Sequence, residues 1–141
     1  MLALIVATLL QGPVAGTAPP PGIVMLFLDV KSGKPLTGVQ VQISMWNSEA
    51  PHRKLDEIVI NAKTDKHGNI LIHLQEPIAK FVFFRSPNEL RECSDQEFAI
   101  ADVIRSGIVA KYHDKCGELN FAPTAKPREI IVFDRKYRFL P

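Results

Sequence analysis

The stretch VQVQISMW, residues 39–46, decides the fold class because apolar and polar side chains alternate along it. Apolar residues occupy every odd position, from Val39 to Met45, and polar residues occupy most of the even positions. Successive side chains of a strand point to opposite faces of a sheet, so this period of two predicts a strand with one buried and one solvated face. Such strands are typical of antiparallel sheets.

Six further stretches extend this pattern in both directions along the chain. They are short and rich in β-branched and aromatic residues, and they cover residues 23–30, 58–62, 69–74, 79–85, 108–112 and 129–134. Turn sequences separate them, notably at residues 32–35 and 65–68, where Gly68 can take positive φ and Asp65 can accept backbone hydrogen bonds. Seven strands predict an all-β fold, a β-sandwich, with a small closed barrel as the alternative.

One segment departs from the period of two and predicts a short helix. Residues 94–97, SDQE, have the pattern of a capping box in which Ser94 caps the amide of Glu97 and Glu97 reaches back. Apolar residues follow at a spacing of three, and Gly107 stands where a C-terminal cap belongs. The pattern predicts a helix over residues 95–106.

The N-terminal residues have the layout of a secretory signal peptide. Residues 2–10, LALIVATLL, are apolar apart from Thr8, a Gly-Pro break follows, and small residues come next. The apolar run is too short to cross a bilayer, which takes about 20 residues. We therefore predict a signal peptide over residues 1–18, with cleavage after Gly16 or, less favourably, after Ala18. A hydrophobic strand of a cytosolic protein is the alternative.

The rest of the chain is expected to form one domain. Residues 19–22, PPPG, predict a stiff, extended spacer, and residues 23–141 predict a single sandwich domain, with no internal repeat and no second boundary. After removal of the leader, no integral membrane segment is expected. The protein is accordingly expected to be secreted or periplasmic.

The two cysteines, Cys93 and Cys116, favour a disulfide because an even count in an exported chain usually means a bridge. The bridge would enclose the predicted helix. The functional alternative is a reactive thiol assisted by His113, but residues three apart on an extended segment face opposite ways.

Charge and composition exclude several classes of protein. The 141 residues carry 17 Lys and Arg against 15 Asp and Glu, a net charge of +2, and 46% of them are hydrophobic. This mixture excludes collagen-like, coiled-coil and wholly disordered chains. The near balance of charge also argues against a nucleic-acid partner, because dedicated nucleic-acid-binding domains are strongly basic.

Two regions are candidates for a ligand surface. The C-terminal stretch, residues 126–138, is basic and includes Arg135, Lys136 and Arg138, which could face an anionic polysaccharide or lipid headgroup. The alternative is a solvated edge strand whose cations deter edge-to-edge pairing. Trp46 and His52 could form an aromatic platform for a sugar, although Trp46 is equally placed to be core.

No catalytic, cofactor or metal site is predicted. The four histidines, His52, His67, His73 and His113, show no metal-ligand spacing, and no phosphate loop or nucleophile elbow occurs. Turn capping is the better explanation of Asp29 and Asp65 than calcium binding.

A family resemblance adds to this interpretation. Residues 27–43, FLDVKSGKPLTGVQVQI, resemble the first hairpin of prealbumin-like sandwiches, and residues 63–69, KTDKHGN, look like the Thr-Asp-x-x-Gly hairpin of the same group. The combination resembles the carboxypeptidase regulatory-like domain, a seven-stranded transthyretin-like module. Residues 106–110, 115–117 and 126–133 look like small exported bacterial proteins of that type. The resemblance implies a seven-stranded prealbumin-like β-sandwich with one short helix, and export.

The same superfold hosts hydrolases of 5-hydroxyisourate, whose activity the resemblance does not carry over. That family needs a His on the first strand, an Arg after the Thr-x-x-Gly turn and a Tyr-Arg-Gly-Ser terminus. Here the first strand has no His, Asn69 follows Gly68, and the chain ends Tyr-Arg-Phe-Leu-Pro. We therefore expect a non-enzymatic binding or structural module that meets a protein or polysaccharide at the cell surface. A small hydrolase and a surface-assembly subunit are the alternatives.

Overall fold

A computed structural model describes residues 22–47, 57–86 and 90–136. The strands are β1 (Gly22–Asp29), β2 (Gln40–Trp46), β3 (Ile58–Lys63), β4 (Asn69–His73), β5 (Phe81–Arg85), β6 (Leu90–Glu92), β7 (Glu97–Ala99), β8 (Ile108–Val109) and β9 (Glu129–Lys136). One helix, α1 (Ile100–Ser106), follows β7, and a 3-10 turn covers Asp114–Cys116. The predicted signal peptide and the spacer up to residue 21 lie outside the described residues.

The strands form two sheets packed face to face. The first sheet has the order β4-β1-β9-β6, and β8 pairs with β9 on the same edge as β6. The second sheet has the order β3-β2-β5-β7 and is antiparallel throughout. The prediction of an all-β sandwich with one short helix is confirmed. The described residues form nine strands rather than seven, because two three-residue strands, β6 and β7, carry too little sequence pattern to be recognised.

The main core lies between the sheets and follows the predicted alternation. Val41, Ile43 and Met45 of β2 are buried and face the apolar side chains of the first sheet. Phe27 of β1 meets Phe84 of β5 edge to face, with ring centroids 5.3 Å apart.

A second apolar cluster covers the outer face of the first sheet. It contains Ile131 and Phe133 of β9 together with Leu28, Val30 and the two cysteines. Strand β9 is therefore buried on both faces, which explains why IIVF, residues 130–133, is continuously apolar. The Cys93–Cys116 disulfide lies in this cluster, with an S–S distance of 2.03 Å, so the predicted bridge is confirmed.

The predicted helix is shorter than its sequence pattern suggested. Residues 97–99 join the second sheet as β7, where Phe98 is buried and stacks on Phe84 of β5 at 6.5 Å. Ser94 is no helix cap, because its hydroxyl accepts a hydrogen bond from the amide of Phe133 at 3.0 Å. Pairing with β5 occupies the backbone hydrogen-bonding groups of residues 97–99, which the predicted helix would have needed. The helix therefore begins at Ile100.

The C-terminal end of α1 is where the sequence pattern predicts it. Gly107 has φ of 77°, and its amide donates to the carbonyl oxygen of Val103 at 2.9 Å. A Cβ at this position would lie 2.1 Å from the backbone oxygen of Lys126, so glycine is required for space as well as for its backbone conformation.

The two predicted turns lie against each other at one end of the sandwich. Asp65 accepts hydrogen bonds from the amides of His67 and Asn69, and Gly68 takes φ of 79°. The amide of Phe27 donates to the carbonyl oxygen of Gly68, and the amide of Leu36 donates to the carbonyl oxygen of Phe27. Through Phe27, these two hydrogen bonds connect the second turn to the first. The predicted capping role of Asp65 is confirmed.

Candidate functional site

The main candidate site is a cationic cleft beside the first turn. It has a volume of about 440 Å³. Four of its lining residues are basic, one is acidic and three are uncharged: Lys31, Lys34, Arg135, Lys136, Asp29, Ser32, Pro35 and Leu36. We call it the basic cleft.

The parallel pairing of β1 with β9 creates the basic cleft. Asp29 and Asp134 are register partners near the C-terminal ends of these two strands, so both strands end on the same side of the sandwich. The turn after β1 supplies Lys31 and Lys34, and the end of β9 supplies Arg135 and Lys136. Two segments about 100 residues apart in the chain thus converge on one surface.

Hydrogen bonds hold the first turn in a fixed shape. The Asp29 carboxylate accepts from both the amide and the hydroxyl of Ser32, at 3.0 and 2.8 Å. The amide of Gly33 donates to the carbonyl oxygen of Asp29, and the Asp29 amide donates to the carbonyl oxygen of Lys34. The predicted turn-capping role of Asp29 is confirmed, and the two lysines project from an ordered loop.

The basic cleft is much more positively charged than the chain as a whole, whose net charge is +2. Its lining contains four cations and one carboxylate, that of Asp29, whose Oδ2 already accepts two hydrogen bonds from Ser32 of the turn. Lys31, Lys34 and Lys136 are exposed and act as mobile point charges. Concentrated positive charge of this kind raises the local concentration of anions.

Arg135 differs from the lysines because it is partly held in place. Its side chain is half-buried, and its Nη1 lies 3.5 Å from the carbonyl oxygen of Cys116. Together with Lys31 it also lines an adjoining hollow of about 190 Å³ next to the disulfide. A guanidinium can bind a carboxylate or phosphate through two parallel hydrogen bonds, so Arg135 adds directional recognition to the charge.

The remaining predicted ligand residues do not join the basic cleft. Trp46 is 4% exposed and packs on Phe81 with ring centroids 5.9 Å apart, so it lies in the core and offers no open face to a sugar. His52 and Arg138 lie outside the described residues. Of the five proposed ligand residues, the structure brings together Arg135 and Lys136.

The ionisable groups with shifted pKa values lie in separate places. Burial raises the pKa of Asp134 to about 7; the hydrogen bond from Ser86 opposes that rise, and nearby Glu92 adds to it. Hydrogen bonds from the amides of Asn69 and His67 lower the pKa of Asp65, and burial raises that of Tyr112.

Asp134 is the most unusual of these groups because it is fully buried. Its Oδ2 accepts from the Ser86 hydroxyl at 3.0 Å, and its Oδ1 has no hydrogen-bond partner among the residues that the structure describes. It shares the core-facing side of β9 with Ile130 and Val132, so the period of two along this strand is the sequence signal for its burial. A carboxyl closed off from solvent is poorly placed to meet a substrate.

No cluster of three or more His, Cys, Asp or Glu side chains suited to a metal ion occurs in the described ranges. His113 lies 2.7 Å from Asp95, on the exposed side of the disulfide-bonded segment. Within the same ranges, no helix is long and apolar enough to cross a membrane.

Comparisons with known proteins assign no family to the chain. No protein-family model matches it, and no curated protein matches its sequence. Among solved structures, the full-length major pilin SpaD from Corynebacterium diphtheriae is similar over 83% of this chain, with 12% identity and a TM-score of 0.42. The match covers 30% of the pilin's own length.

Proposed function

We propose that the protein is a secreted or periplasmic binding module, without enzymatic activity, whose basic cleft holds an anionic polysaccharide at the cell surface. The proposal rests on the convergence of four cations in the basic cleft of a chain whose net charge is only +2. Carboxylate groups repeated along a polymer would meet the lysines as point charges and Arg135 through paired hydrogen bonds.

The disulfide supports the proposed location. A buried Cys93–Cys116 bridge persists in oxidising compartments and is rare in a reducing cytosol. The signal-peptide pattern of residues 1–18 points the same way. Mass spectrometry of the exported protein, intact and after reduction, tests both, because a retained leader or two free thiols would contradict the location.

The family assignment is part of the same proposal. We infer a carboxypeptidase regulatory-like domain of the prealbumin-like type from the two turn motifs, residues 27–43 and 63–69. Their proximity in the fold supports it: a Cβ at Gly68 would lie 2.7 Å from Pro35, so the two motifs fit against each other.

A binding experiment with a defined acidic polymer tests the cleft. Polygalacturonate serves as the probe, dextran as the neutral control, and isothermal calorimetry measures the affinity at several NaCl concentrations. We expect salt-dependent binding to polygalacturonate and none to dextran. The double variant K31Q/K34Q should bind about tenfold more weakly, because it removes half of the cations in the cleft.

The matched control is K80Q/K111Q, which changes the net charge equally at two exposed lysines outside the cleft. Equal weakening by both double variants would show that net charge alone attracts the polymer. No measurable binding by the wild type, or tight binding to an acidic protein in place of polygalacturonate, would overturn the proposed ligand class.

A further inference from the structure

Among residues 22–47, 57–86 and 90–136, strand β3 is an edge strand that lacks the usual protection against pairing. Within the described part of the chain it pairs with β2 only, and it is six residues long, whereas β7, at the other edge of the same sheet, has three. Ile58 and Val59 are 57% and 49% exposed. Natural edges are usually short or interrupted by charges, and a long apolar edge is a template for another strand.

The unpaired backbone groups of β3 belong to alternate residues. Thr64, just after β3, directs its amide and carbonyl groups to the β2 side, where they bond to Val39 and Gly38. Backbone groups alternate in direction along a strand, so Ile60 bonds toward β2, whereas Val59 and Asn61 direct their groups to the open edge. These two residues can therefore exchange hydrogen bonds with an added strand.

The charges flanking β3 make the edge complementary to itself. Glu57 precedes the strand and Lys63 ends it, both are exposed, and the residues between them carry no charge. In an antiparallel pair of two β3 strands with Ile60 opposite its own copy, each Glu57 lies opposite a Lys63. The same register places Val59 opposite Asn61, which is the pairing that the free backbone groups require.

An apolar groove runs beside this edge. It has a volume of about 310 Å³, and Ile58, Ile60, Leu71 and Leu74 are among its lining residues. Leu71 belongs to β4, the adjacent edge of the first sheet, and is 56% exposed. A strand added to β3 would cover part of this apolar surface, which favours association through the removal of apolar area from water.

From the free edge, the flanking charges and the groove, we propose that the protein forms a two-fold symmetric dimer in which the β3 strands of two copies pair antiparallel. The dimer joins the two second sheets into one continuous eight-stranded sheet. A two-fold interface uses the same patch on both copies, as the Glu57 and Lys63 arrangement requires. The proposal is independent of the basic cleft, whose four cations lie on other segments.

A charge-swap series followed by sedimentation velocity tests the dimer and its register. The wild-type exported protein should sediment as a dimer that dissociates on dilution. E57K and K63E each place like charges opposite one another twice per dimer and should weaken the dimer at least about tenfold. The double variant E57K/K63E restores opposite charges and should restore the dimer. If both single variants weaken the dimer and the double variant fails to restore it, the register is wrong.

A proline variant distinguishes loss of pairing from loss of folding. The Asn61 amide points to the open edge, so N61P should leave the fold intact, as circular dichroism would show, and abolish the dimer. I60P removes an amide that bonds to β2 and should instead destabilise the sheet. A monomeric wild type, or a dimer that persists in folded N61P, would overturn the proposal.

Discussion

Buried Asp134 should make the stability of the protein fall as the pH rises from acidic values to neutrality. Its carboxyl has a pKa of about 7 in the folded protein against an ordinary value of 3.8. Between these two values the folded protein holds a proton that the unfolded chain has already released. The free energy of unfolding therefore falls from about pH 4 to about pH 7 and levels off above that range.

The size of the effect follows from the same two values. Each tenfold difference in proton affinity corresponds to about 1.4 kcal/mol, so the full interval is worth at most about 4 kcal/mol. That is a large share of the stability of a small domain. The physical cause is the complete burial of Asp134, whose Oδ1 finds no hydrogen-bond partner in the described part of the chain to replace water.

The variant D134N isolates this contribution. Asparagine does not ionise, yet its side-chain oxygen can still accept the hydrogen bond from Ser86. Urea unfolding at pH 5, 6, 7 and 8, followed through the fluorescence of Trp46, measures the free energy of unfolding of both proteins. The difference between variant and wild type should shift toward the variant by at most about 3 kcal/mol between pH 5 and pH 8, because these measurements cover only about two of the pH units that separate the two pKa values.

A matched control and a refuting result complete the test. E118Q removes an exposed carboxylate and should follow the wild-type profile. Subtracting the D134N profile from the wild-type profile cancels every pH effect that the two proteins share. Parallel profiles for D134N and the wild type would refute the argument, because they would show that Asp134 does not change its proton affinity on folding.

Three other predictions concern stability. Replacing both Cys93 and Cys116 by alanine should lower the free energy of unfolding by roughly 3 kcal/mol, because the bridge joins two residues that are 23 positions apart in the sequence. Urea unfolding measures this loss. Gly107→Ala should cost clearly more than Gly38→Ala in thermal unfolding, since both have positive φ but only the former would place a Cβ against backbone atoms. Ser94→Ala should cost about 1–3 kcal/mol by orphaning a buried strand amide. It should leave the helical circular dichroism signal unchanged, and a loss of helix would restore the capping-box interpretation.

The local pattern predicted most of the fold because strand faces and turns depend on neighbouring residues. The alternation in residues 39–46 correctly assigned Val41 and Ile43 to the core. The Asp65–Gly68 turn formed as expected, since its hydrogen bonds stay within five residues. The capping box failed because sheet pairing with β5, a partner 14 or more residues away, competed for the same backbone groups.

The sequence predicted two of the four cations of the basic cleft, because they are neighbours in the chain, and missed the two that come from a distant segment. The basic C-terminal stretch pointed to Arg135 and Lys136, but no sequence pattern marks Lys34, which lies in the predicted turn at residues 32–35, or Lys31, which directly precedes that turn, as a site residue. No local signal links these segments, because the pairing of β1 with β9 joins them over a long sequence separation.

The sequence by itself determined the period of the strands and the chemistry of the turns, because each depends on residue type and near neighbours, and its two cysteines allowed one intramolecular pairing. Tertiary structure alone decided that β1 and β9 run parallel, that β9 is covered on both faces and that β3 is left at an edge. These features depend on which distant strands bury each other's apolar faces, and many pairings bury similar area. The cationic cleft and the free edge are consequences of that choice.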